Sequence, residues 1–108
     1  IDESVLKTDP VTFAQALSKE GIPAGVGYIG KPIYMSPIFQ ETVTYGDSGC
    51  PFTCPHANPR EYKESDCPNT LEILKNIIIL PCNEFFSDKD VNDIIRGVQK
   101  VARHFAGS

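Results

Sequence analysis

Basic residues are in the minority: 10 lysines and arginines stand against 14 acids, a net charge of −4. Nucleic acids and anionic membrane surfaces both need a basic patch, so neither is expected as a partner. Long apolar runs are missing too. The longest, Ile77-Ile78-Ile79-Leu80, has the length of a strand and falls far short of the roughly 20 residues of a membrane-spanning helix. The chain opens Ile1-Asp2-Glu3-Ser4, with no Met and no basic segment leading into an apolar one. That opening reads as a cut, partial or processed sequence. No internal repeat and no low-complexity segment is visible. With no secretory signal, the four cysteines are expected as free thiols in the cytoplasm, although an even count also permits disulfides.

What is present fits one domain over residues 1–108 with ordinary globular composition, 41% apolar and 22% charged. A chain of this length can bury a core, with a thin margin. Thr8 or Asp9 can cap a first helix, Pro10 suits its first turn, and Phe13, Ala14 and Leu17 form its apolar stripe. Gly21 can supply the left-handed residue that stops it. Residues 22–26 then read as an edge strand, interrupted by Pro23 and Gly25. Pro68 to Lys75 predicts a short helix with Leu71 and Leu74 inward. Ile77 to Leu80 predicts a strand covered on both faces.

The clearest element is the last helix, from Ser87 to about Phe105. Ser87 is its cap, and Asp88, Asp90 and Asp93 lie near the positive end of its dipole. Val91, Ile94, Ile95, Val98, Val101, Ala102 and Phe105 share one face. Phe86 can staple against Val91. Lys100, Arg103 and His104 sit where positive charge is favoured. Asp2 to Lys7 reads as the stub of a further strand. The pattern as a whole predicts a two-layer α+β domain with a short sheet.

Residues 27–66 break the pattern. Prolines 32, 37, 51, 55 and 59 and glycines 27, 30, 46 and 49 interrupt any regular element. A structureless stretch of this length inside a compact domain is usually functional, disordered, or evidence against the assignment of elements. Its aromatics (Tyr28, Tyr34, Phe39, Tyr45, Phe52, Tyr62) argue against disorder. A long ordered loop, packed on a surface the domain does not itself supply, is expected.

Several constellations could carry chemistry. Cys50, Cys54, His56 and Cys67 have the donor types of a closed zinc site, but not the tight spacing of a zinc finger. Loop cysteines packed as small hydrophobes are the alternative. A Cys/His nucleophile pair would need an orienting third group that the sequence does not reveal. Gly25-Val26-Gly27 lacks the following helix that phosphate binding uses. Tyr28, Lys31 and Tyr34 sit on a loop shaped by glycine and proline, which can present side chains rigidly. They are candidate substrate-binding residues, or else half-buried tyrosines beside a solvated lysine.

The order of the local motifs adds a family likeness. Phe13-Ala14-Gln15-Ala16-Leu17-Ser18-Lys19-Glu20-Gly21-Ile22 resembles the element that opens the small domain of DegT/StrS-type sugar aminotransferases. Gly27-Tyr28, Pro32-Ile33-Tyr34 and Pro37-Ile38-Phe39 are similar to a stretch of the branch that aminates keto-cyclitols and ketosugars. Cys67-Pro68 with Leu71-Glu72, and Leu80-Pro81 leading to Ser87-Asp88-Lys89-Asp90-Val91, resemble that branch's later motifs. Asn69-Thr70 departs from its usual small pair, and the segment from Cys50 to His56 has no counterpart.

The resemblance covers nearly the whole chain and implies the C-terminal small domain of a fold type I enzyme dependent on pyridoxal phosphate. It implies an N-terminal large domain, not present in this chain, that carries the Schiff-base lysine and most of the phosphate site. It also implies a homodimer with active sites at the interface. On this reading the chain is a fragment, with no cofactor bound and no activity alone. Tyr28, Lys31 and Tyr34 would lie nearest the sugar, and residues 27–66 would form an interface.

Overall fold

The computed structural model describes residues 1–107. In chain order the elements are α1 (Glu3–Leu6), α2 (Pro10–Lys19), β1 (Gly25–Val26), a 3-10 turn (Ile33–Met35), α3 (Pro37–Gln40), a second 3-10 turn (Glu64–Asp66), α4 (Pro68–Asn76), β2 (Ile78–Ile79) and α5 (Asp88–Ala106). This is the expected α+β architecture. No helix among the described residues is long and apolar enough to cross a membrane. Contacts gather the chain into two compact units. One holds Ile1–Tyr28 together with the chain from Lys75 onward, and the other holds Ile29–Leu74.

The first unit sets a helical layer on a two-stranded antiparallel sheet, with Gly25 opposite Ile79 and Val26 opposite Ile78. Asp9 caps α2 by accepting from the Thr12 amide at 3.0 Å, and Pro10 fills its first turn. The helix ends at Gly21, whose φ of +84° costs an L residue but not glycine. There the Ile22 amide donates to Leu17 O and the Gly21 amide to Ser18 O, both bonds of a Schellman turn. That turn folds Ile22 back beside Leu17. Phe13, Leu17, Ile22 and Val101 form the buried cluster, with Ile78, Leu80, Ile94, Val98 and Phe105 partly buried against it.

Helix α5 opens on a capping box. Ser87 Oγ accepts from the Asp90 amide, and Asp90 Oδ2 accepts from the Ser87 amide at 2.9 Å. Lys100 reaches back to Glu20 at 2.6 Å and ties α5 to the end of α2. Gly97 is where α5 presses on the Schellman turn: an added Cβ would run into Ile22 Cδ1.

Two local expectations are corrected. Asp2 to Lys7 is not a strand stub; it is a single helical turn, because Asp2 Oδ1 accepts from the amides of Ser4 and Val5 and caps it. The strand expected over Ile77–Leu80 shortens to Ile78–Ile79, and residues 77–80 are half-buried rather than covered on both faces, because a sheet of two short strands offers little surface for other elements to cover. The apolar face of α5 is likewise covered only in part: Val101 is buried, while Val91 and Ile95 remain exposed.

Candidate functional site

The second unit contains most of the long irregular stretch, and its order comes from side chains rather than from periodic backbone bonding. Ser36 and Pro37 start α3, which presents Phe39 and Gln40 on consecutive positions. Gln40 Nε2 donates to Tyr34 O at 2.9 Å and to Tyr62 O at 3.2 Å, stitching segments 22 residues apart. Phe39 meets Phe52 and Tyr62 edge to face, with ring centres 5.9 and 5.6 Å away. The Arg60 guanidinium carbon lies 5.4 Å from the centre of the Tyr62 ring.

Between these groups opens a cleft of about 490 Å³ lined by Phe39, Gln40, Thr42, Arg60, Glu61 and Tyr62, with Pro59 at its side. At its margin Thr42 holds φ +54°, a left-handed conformation that is a true outlier for a β-branched residue. Glu61 faces Lys63 at 3.9 Å. Arg60 has no acidic partner among the described residues, and its guanidinium lies against the Tyr62 ring.

The cysteines are not all free thiols. Cys50 and Cys54 form a disulfide with Cα atoms 5.4 Å apart, leaving Cys67 and Cys82 free and exposed. Spacing alone could not reveal this pairing, because an x-x-x spacer serves a metal site and a small disulfide ring alike. The alternative zinc set Cys50, Cys54, His56 and Cys67 is thereby corrected. Two of its sulfurs are bonded to each other and cannot act as thiolate ligands, and no group of three or more His, Cys, Asp or Glu among the described residues could hold a metal ion.

The proposed substrate-facing residues fall in different places. Tyr28 is exposed and ends the first segment of the first unit, whereas Lys31 and Tyr34 belong to the second. Lys31 is exposed, and its backbone amide donates to Ile29 O at 2.8 Å. The Tyr34 hydroxyl donates to Glu64 O at 2.9 Å. Partial removal from water, and then the neighbouring Cys67 thiol, push the Tyr34 phenol above its ordinary pKa. Tyr34 therefore braces the loop at its hydroxyl end.

The first unit has a smaller cleft of about 280 Å³, walled by Ile22, Pro23, Pro81, Phe86 and Ile94 and edged by Asp90 and Asp93. Both acids already have work: Asp90 closes the capping box, and Asp93 pairs with Lys89 at 2.7 Å. Sequence reasoning pointed to neither cleft, since each is walled by segments far apart in the chain. Among the second cleft's walls, the one local signal was the aromatic density of residues 27–66. No family model matches the chain, and neither a curated protein nor a solved structure matches it.

Proposed function

We propose that the chain is the C-terminal small domain of a pyridoxal-phosphate aminotransferase of the DegT/StrS type, acting on a keto sugar or cyclitol. The ordered series of motifs from Phe13 to Val91 supports this reading, as does an α+β unit ending in a long capped helix. The observation that carries it is the apolar surface both units leave uncovered. Phe85 is 84% exposed, Tyr45 78%, Ile33 71% and Tyr28 70%, whereas the hydrophobic core proper comprises five buried residues among those described. Apolar side chains left open on a small domain are available for burial against a further domain, and it is as contiguous patches that they mark interfaces. A large domain and the second subunit of a homodimer are the proposed covers.

The cofactor itself does not fit this chain. All seven lysines are exposed, and Lys89 and Lys100 are engaged in ion pairs. A Schiff-base lysine is instead activated by desolvation or by a neighbouring cation. That role, and the phosphate cradle, are assigned to the large domain. The chain's own part would be to close over the substrate with the loop carrying Tyr28, Lys31 and Tyr34. The parent is proposed to work in the cytoplasm, where a disulfide such as Cys50–Cys54 would form transiently.

Sequencing the reading frame upstream of Ile1 tests the proposal. The expected result is an α/β domain with a lysine in a cofactor-binding context. A stop codon or an unrelated domain overturns it. So does borohydride trapping of one equivalent of pyridoxal phosphate on a single lysine of this chain alone, above the general labelling that exposed lysines give.

A further inference from the structure

We propose that the cleft of the second unit binds a small organic carboxylate with a flat or apolar body. This goes beyond the aminotransferase reading and does not depend on it. Four observations converge. Arg60 carries a guanidinium without an acidic partner among the described residues, in a chain whose net charge is −4. Glu61, which also lines the cleft, faces Lys63 at 3.9 Å. The guanidinium carbon lies 5.4 Å from the centre of the Tyr62 ring, which sets its fork of donors at the cleft, the geometry that suits a carboxylate.

The walls define the rest of the ligand. Phe39 and Tyr62 are fixed edge to face, Phe52 backs Phe39, and the Gln40 amide holds Tyr62 through its carbonyl. These contacts make a preformed apolar wall of the kind that small-molecule sites use, and about 490 Å³ lies within their usual size. Thr42, at the edge, is held in a conformation its side chain disfavours, and proteins concentrate such strain at ligand clamps. A single arginine with Glu61 beside it matches a monoanion better than the doubly charged phosphate monoester.

An NMR titration of the full 108-residue chain with benzoate tests this, with phenyl phosphate and benzyl alcohol in parallel. Saturable benzoate shifts are expected in the amides of residues 39–42 and 60–62, with no saturation by benzyl alcohol and weaker binding of phenyl phosphate. Arg60→Lys should weaken benzoate by about tenfold, because a point charge replaces a fork, and Arg60→Met should abolish binding. Arg60 is exposed, so both variants should keep the wild-type spectrum away from the cleft. The proposal is overturned if benzoate produces no saturable shifts there, if Arg60→Met binds it equally well, or if phenyl phosphate binds more tightly.

Discussion

Gly97 and Ile22 show how closely one residue's size is set by another's. Glycine within a helix costs about 1 kcal/mol against alanine, so Gly97→Ala would ordinarily stabilise α5. Here the new methyl meets Ile22 Cδ1, so the Ile22 side chain, only 6% exposed, must turn to admit it. Overpacking of this kind costs about 1–3 kcal/mol. The expected net effect of Gly97→Ala is a loss of about 1 kcal/mol in urea unfolding. Ile22→Val removes the offending carbon, so in that background Gly97→Ala should become neutral or stabilising. The two substitutions are then coupled, as contacting residues are. Additive effects would show that α5 does not press on the turn at this point. The sequence alone pointed to Gly21, whose requirement is local. Gly97 was not legible, because its neighbour lies 75 positions away.

The elements themselves are specified largely at their ends. Asp2, Asp9 and Asp90 each accept bonds at the start of a helix, and all three carboxyls are held below their ordinary pKa. In each case the first cause is a hydroxyl bond, from Ser4, Thr12 and Ser87 respectively. A carboxyl with a depressed folded pKa stabilises the fold above its unfolded value, here near 3.8, and loses that contribution as the pH falls through the folded value. Urea unfolding should therefore show wild type gaining over Asp90→Asn between pH 3 and 6, with the advantage shrinking toward zero in acid. A pH-independent difference would mean that Asp90 acts through shape alone.

Caps such as Ser87 and Asp9 were readable because capping is a property of adjacent residues. The one-turn helix at Glu3 was not readable, because four residues carry no period and Asp2's choice of partner decided the outcome. Likewise the Phe39–Tyr62 cleft and the Cys50–Cys54 bond arise from contacts within a stretch that has no repeat to read.

For the whole molecule, the central matter is what covers the apolar side chains of residues 29–66. As an isolated chain the unit relies on one small disulfide ring, three aromatic rings and a few loop hydrogen bonds, so its amides should open readily. In a longer protein a docked large domain would protect them. Fold class was legible in the sequence because it follows from helical and strand periods. The proposed cover was legible only as a surplus of aromatics in a loop. The most direct measurement is amide hydrogen exchange across residues 29–66, in this chain alone and in the protein extended upstream of Ile1. The expected result is fast exchange in the isolated chain and strong protection of residues 33–45 in the extended protein. Identical exchange in the two would contradict the account, showing that the loop has no partner in its own polypeptide.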